Sequence, residues 1–292
     1  MLPIVDTHQH LWDLSKLRLP WLESAERLNR CYVTEDYLEA TRGLNVVKAV
    51  YMEVDVDPAQ KLAEAEYVLD LCRRDDVPTA AAVIGGQPAS EGFRAYITRF
   101  KGSRYVKGVR QVLHTESVNA GLCLTEPFIK GIRLLGELGM SFDLCMRPGE
   151  LRDGVTLAER CPGTRFILDH CGNADPKAFA KGSTARSHDP DVWRKDIDRL
   201  AGRKNVICKI SGIVARAEPQ RWRAADLAPI VNHCLDSFGS DRVVFGGDWP
   251  VCTLAATYRQ WVTALHEIIR ERDEPSRRKL LHDNAVRWYG LD

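Results

Sequence analysis

Short, near-continuous apolar runs alternate along the chain with longer amphipathic stretches. The runs fall at residues 4–7, 46–54, 79–84, 105–113, 140–146, 165–169, 205–210 and 242–245. They are rich in β-branched residues, as strands buried on both faces should be. The stretches between them carry helix signals. Asp57-Pro58 and Asp189-Pro190 each read as an N-cap followed by proline at the first helical position. Leu62, Ala65, Val68, Leu69 and Cys72 then recur at helical spacing, and residues 125–138 and 254–272 read likewise. Eight strand–helix units in 292 residues predict an α/β fold, a single (β/α)8 barrel over residues 1–292. An open doubly wound sheet also alternates, but no Gly-rich dinucleotide loop follows the first run. The longest insertion, residues 11–45, contains Leu19-Pro20-Trp21-Leu22, a rigid aromatic segment suited to act as a lid over a barrel mouth.

Barrel chemistry sits at the C-terminal ends of the strands. The polar residues of this chain collect there. The first run ends in His8 and His10, which a strand points to one side. Two imidazoles on one face suit a metal or an oxyanion. Glu53 and Asp55 close the second run, Lys107, Arg110 and His114 mark the fourth, and Asp143 the fifth. Asp169-His170 ends the sixth, Lys209 and Ser211 the seventh, and Gly246-Gly247-Asp248-Trp249-Pro250 the eighth. Charged groups in apolar runs are costly unless paired or employed, so this distribution favours one converging site. Asp248 is the strongest single candidate, because two glycines before it let backbone approach closely. A helix N-cap is its alternative role, and for His170 it is a structural bond to Asp169. Glu53 either serves the site or forms a buried ion pair with Arg110 or Lys209. Arg110 fixes a carboxylate or hydroxyls, or pairs with Glu53 or Asp143. His188, His233, His266 and His282 fall in helix-like or loop segments and read as surface or packing residues.

Composition narrows the classes. Lys and Arg number 41 against 40 Asp and Glu, net +1, with no basic stripe, so nucleic acid is not an expected partner. No apolar stretch reaches the roughly 18 residues of a membrane span, and the N-terminal pattern lacks a signal peptide. Nine cysteines without a C-x-x-C pair read as buried free thiols of a cytoplasmic protein. Nothing in the pattern specifies an oligomeric state.

These motifs resemble the amidohydrolase superfamily, in particular the amidohydrolase-related branch that includes sugar-acid lactonases and pyrone-dicarboxylate lactonase. The matching pieces are Asp6-Thr7-His8-Gln9-His10-Leu11-Trp12, Pro20-Trp21-Leu22, Gly108-Val109-Arg110, Leu168-Asp169-His170-Cys171-Gly172, Lys209-Ile210-Ser211-Gly212, Phe245-Gly246-Gly247-Asp248-Trp249-Pro250 and Asn284-Ala285-Val286-Arg287-Trp288-Tyr289. They span nearly the whole chain. The resemblance implies a distorted barrel and hydrolysis at a carbonyl, with Asp248 handling water and His8, His10 and His170 around a small lactone. Arg110 and His114 would hold hydroxyls or a carboxylate, and Trp21 and Trp249 would wall the ring. One departure stands out: lactonases of this branch often carry a neutral residue where this chain has Glu53. Glu53 is therefore a candidate fourth ligand beside His8, His10 and Asp248 for one divalent metal, zinc or manganese, or a substrate contact. The branch varies in metal dependence, so metal-independent hydrolysis stays open. A metal-dependent decarboxylase or an amide hydrolase is the alternative enzyme reading. The related decarboxylases usually carry a histidine on the fifth strand, and residues 140–146 have none. A non-catalytic metabolite-binding barrel is the remaining reading.

Overall fold

The computed structural model describes residues 2–180 and 186–291. Eight parallel strands form one sheet in the order β1 to β8. They are β1 Ile4–Gln9, β2 Val46–Met52, β3 Thr79–Gly85, β4 Val106–Val112, β5 Ser141–Cys145, β6 Arg165–Leu168, β7 Val206–Ile210 and β8 Val243–Phe245. Each predicted run contains its strand or overlaps it, because apolar β-branched sequence buried on both faces has few other options. The expected helices form at Lys61–Cys72, Glu126–Glu137, Pro190–Ala201 and Tyr258–Ile268. The Asp57 side chain accepts from Ala59 N and the Asp189 side chain from Asp191 N, as N-caps should.

The barrel closes unevenly. Between β1 and β8 the pairing is confined to the mouth, where Gln9 bridges Trp249, His10 N donates to Trp249 O and Asp248 N donates to His8 O at 2.9 Å. The opposite end is sealed by the C-terminal segment. Val5, Val50, Val83, Ile167, Ile207 and Val244 pack there against Ala285, Tyr289 and Leu291.

Strand alternation then sets the chemistry. Two residues beyond Ile167 comes Asp169, and two beyond Ile207 comes Lys209, so an ionic layer lies directly above the apolar one. The side chain of Glu53 has the opposite parity to Val50 and Met52, and reaches the helix Lys61–Cys72 side of β2 instead.

The cysteines are all free thiols, and eight are buried as expected; Cys31 is exposed. Among the described residues no helix is long and apolar enough to cross a membrane.

Candidate active site

Asp6 organises the junction of β1 and β8. Its fully buried carboxylate accepts from Gly247 N at 2.7 Å, His8 N at 2.9 Å, Tyr37 Oη at 2.8 Å and Tyr258 Oη at 3.0 Å. Gly247 must be glycine here, since a Cβ would collide with the Tyr258 ring and lie 2.6 Å from Asp6 Oδ2. Asp248 follows with φ of 54°. That left-handed backbone is uncommon for a residue with a Cβ and marks a held position.

Below the mouth lies a closed ionic cluster. Lys209 Nζ, with no solvent exposure, contacts Asp143 Oδ2 at 2.8 Å, Asp169 Oδ1 at 2.9 Å and His8 Nδ1 at 3.2 Å. Burial pushes the Asp143 carboxyl up to about 7, helped by Asp169 and opposed by Lys209. Burial also raises Asp169, but the Lys209 ammonium and His8 outweigh it and hold Asp169 well below the usual carboxylate range. Both ring nitrogens of His8 face a cation that can only donate, Lys209 Nζ at Nδ1 and Arg110 Nη1 at Nε2, so a neutral ring can accept from one of them at a time. Burial, Lys209 and His170 push His8 well below its ordinary value, which keeps it neutral.

Above this cluster the groups are less satisfied. His8 Nε2 lies 3.6 Å and His10 Nε2 3.4 Å from Asp248 Oδ1. His10 Nδ1 donates to Met52 O at 2.9 Å, which leaves its Nε2 lone pair facing that carboxylate oxygen. A proton, a water or a cation belongs between them. His170 sits in a left-handed turn, with positive φ at His170, Cys171, Gly172 and Asn173. Its ring lies against Gly212, where any Cβ would collide, and Nδ1 meets Ser211 Oγ at 2.9 Å. Burial lowers its pKa, with Asp248 pulling the other way. Arg110 is fixed by Glu53: Nε donates to Oε1 at 2.7 Å and Nη2 to the backbone O at 2.7 Å. Its Nη1 lies 3.3 Å from His8 Nε2. These groups border a cavity of about 320 Å³ at the mouth, small by the standard of ligand sites.

The family model described as amidohydrolase matches residues 5–291. The chain belongs to the amidohydrolase family. It is a hydrolase with lactonase-named relatives. An L-fucono-1,5-lactonase of Burkholderia multivorans is 28% identical over 98% of this chain and 96% of its own length. An L-rhamnono-gamma-lactonase of Scheffersomyces stipitis is 23% identical over 99% of this chain and 98% of its own length. A zinc-bound amidohydrolase structure from Burkholderia multivorans superposes with a TM-score of 0.85, at 26% identity, covering 99% of this chain and all of that one.

Within this amidohydrolase barrel, His10, Trp21, Arg110, His114, His170 and Asp248 meet around the cavity, with His8 beneath Asp248. Burial and the neighbouring cations lower His114 to about 4, and its Nδ1 meets Cys145 Sγ at 3.2 Å. Two expectations are corrected. Glu53 is 1% exposed and lies outside the cavity wall, with Oε1 on Arg110 and Oε2 accepting from Asp55 N. Its strand parity turns it away from the His8, His10 and Asp248 group, so it acts as the anchor of Arg110, neither metal ligand nor substrate contact. Trp249 is 3% exposed and packs edge-on against Tyr32 and Tyr37, so it is core. Trp12 borders the cavity too but is fully buried, behind the half-buried Trp21. Lys209 pairs with Asp143 and Asp169, not with Glu53.

Sequence reasoning missed Trp12 and Arg216 as cavity residues. Trp12 had a signal, since it follows His10 by two positions. Arg216 had none, because it lies beyond β7 in a short turn, Ile213–Arg216.

The donor set fits a divalent ion. Ligand atoms of His8, His170 and Asp248 lie within 4.8 Å of one another. The 3.4 and 3.6 Å separations of Asp248 from His10 and His8 approach the ~3.3 Å between two ligands of a tetrahedral zinc. Two cations oppose it. Arg110 and Lys209 flank His8.

Proposed function

We propose that this chain opens a small sugar-derived lactone to the hydroxy acid. The observation that carries the reading is Asp248, a carboxylate held in left-handed backbone at the cavity floor, facing His8 and His10. Lactonase-named relatives across nearly the full length support it.

Asp248 takes a proton from a water held between its Oδ1 and His10 Nε2. The water oxygen bonds to the lactone carbonyl carbon, and the carbonyl electrons move onto oxygen. Arg110 Nη1, held beside His8 Nε2, stabilises that oxyanion; a preorganised donor of this kind contributes about 3 kcal/mol. The intermediate collapses, the ring C–O bond breaks, and the leaving alkoxide receives the proton that Asp248 took from water, directly or relayed through His170. Ser211 holds the His170 ring for that role. Should a divalent ion bind, His8, His10 and Asp248 would hold it, His170 lying beside them, and it would acidify water and polarise the carbonyl. Residues 11–45 act as a cover, with Trp21 in the cavity wall and the buried Trp12 behind it.

Strand β5 contributes Asp143 to the buried cluster and Cys145 to the cavity wall but no histidine, which disfavours the decarboxylase reading. The test is a pH-indicator screen of purified protein on aldonolactones and dicarboxylate lactones, with chelator and with added zinc or manganese. Turnover of at least one lactone is expected. Turnover of none would overturn the proposal.

A further inference from the structure

The arginines near the mouth are not equivalent. Arg110 is neutralised by Glu53 at 2.7 Å. Arg147 donates to Glu150 Oε1 at 2.7 Å, to Val118 O and to Thr115 O. Arg216 also lines the cavity and is half-buried, yet it has no hydrogen-bond or ion-pair partner among the described residues. Apart from Met1 and Asp292, the residues outside that set are Lys181, Gly182, Ser183, Thr184 and Ala185, none of them an acid. Arg216 ends the turn that starts at Gly212, against which the His170 ring rests. The unpaired guanidinium is therefore fixed relative to the reacting centre.

Another part of the wall has a different character. Trp21, Val54, Val251 and Leu254 line it with apolar side chains, backed by the buried Trp12. Both indole N–H groups are already used, Trp12 Nε1 by Arg30 O at 2.7 Å and Trp21 Nε1 by Val54 O at 2.8 Å. Neither can donate to a ring hydroxyl. A ring laid on this wall therefore turns an apolar face to it and its hydroxyls elsewhere.

We infer that the substrate is a compact lactone carrying a carboxylate, which Arg216 binds while an apolar flank of the ring lies on Trp21. This rests on the lactonase reading for the word lactone alone; the anion site stands on the geometry. One guanidinium matches one carboxylate in fork geometry. The carboxylates of Asp55 and Asp248 in the same cavity disfavour a dianion such as phosphate.

The test compares tetrahydrofuran-2-carboxylate with its carboxamide by calorimetry, in the wild type and in Arg216→Gln and Arg216→Lys. The wild type should prefer the carboxylate by about 30-fold, the range of a charge-assisted hydrogen bond. Arg216→Gln should bring that ratio close to unity, and Arg216→Lys should retain part of it. A wild-type ratio near unity, or a ratio unchanged in Arg216→Gln, would overturn the inference. In parallel, 5-oxotetrahydrofuran-2-carboxylate and its amide are offered as lactones. Carboxylate binding through Arg216 without opening of any lactone, there or in the wider panel, would sink the lactonase reading and leave the anion site standing. Opening of both lactones at equal kcat/KM would do the reverse.

Discussion

Two ionic layers lie one above the other in this barrel, and they differ in how they are closed off from the cavity. The lower layer, Lys209 with Asp143 and Asp169, is fully buried, and its ammonium meets both carboxylates below 3 Å. The upper layer, Asp248 with His8 and His10, holds its members 3.4 to 3.6 Å apart and opens on the cavity. The lower one is sealed from solvent, even though Asp143 Oδ1 and the Asp169 oxygens meet no hydrogen-bond donor in good geometry. It orients His8 and what lies above. The upper one has lone pairs that meet no donor, and there a water, a proton or a metal ion finds its place. Access to the cavity distinguishes scaffold from site more sharply than charge does, since both layers are densely charged.

The comparison breaks first, and with the largest effect, at Lys209. Lys209→Met leaves two buried carboxylates without their cation, which costs about 3–5 kcal/mol and lowers Tm by roughly 10 °C. A melt within a degree or two of wild type would show that the lower layer is not structural. Next is Gly247→Ala, which forces a Cβ into Tyr258 and Asp6 and should cost about 1–3 kcal/mol by overpacking. The Asp248 backbone would shift with it, so turnover should fall more than stability; equal losses would argue against a positioning role.

A smaller effect tests the support of Arg110. Glu64 is buried behind Glu53, with Oε1 accepting from Val54 N at 2.7 Å and Tyr51 Oη at 3.0 Å. Burial and the Glu53 charge push it up to about 7 from an ordinary 4.5. Between those values the folded state holds a proton that the unfolded state has released. Stability therefore falls as pH rises through that window, by up to about 3 kcal/mol in total. Glu64→Gln cannot ionise, so its stability relative to wild type should improve from pH 4.5 to pH 8, as read by denaturant melts. A constant difference across that range would refute the assignment. The smallest effect belongs to the wall: Trp21→Ala should raise KM several-fold with little change in kcat, because it removes contact made equally by substrate and transition state. A fall in kcat alone would place Trp21 nearer the chemistry.

Much of this was legible in the chain, for physical reasons that can be named. Strands buried on both faces write themselves as apolar runs, so the barrel and its order could be read. His8, His10, His170 and Asp248 were visible because strand ends in a barrel point to one place. The pairing of charges was not. Glu53 and Asp143 both lie near apolar runs, and sequence alone does not say which cation each meets. Parity decided it, through the inward-facing Val50 and Met52. Trp249 looked like a wall residue because it follows Asp248, yet that neighbour faces the cavity and Trp249 turns into the core. The left-handed turn at His170 had one cue, Gly172, while Cys171 and Asn173 adopt the same backbone without any.

The account rests most directly on Asp248, so the measurement to make is turnover by Asp248→Asn on a lactone the wild type opens, with Tm read on the same sample. The account predicts a fall in kcat of about 1,000-fold or more, with Tm held close to wild type. Full turnover by a folded Asp248→Asn would contradict it, and would move the chemistry away from the upper layer altogether.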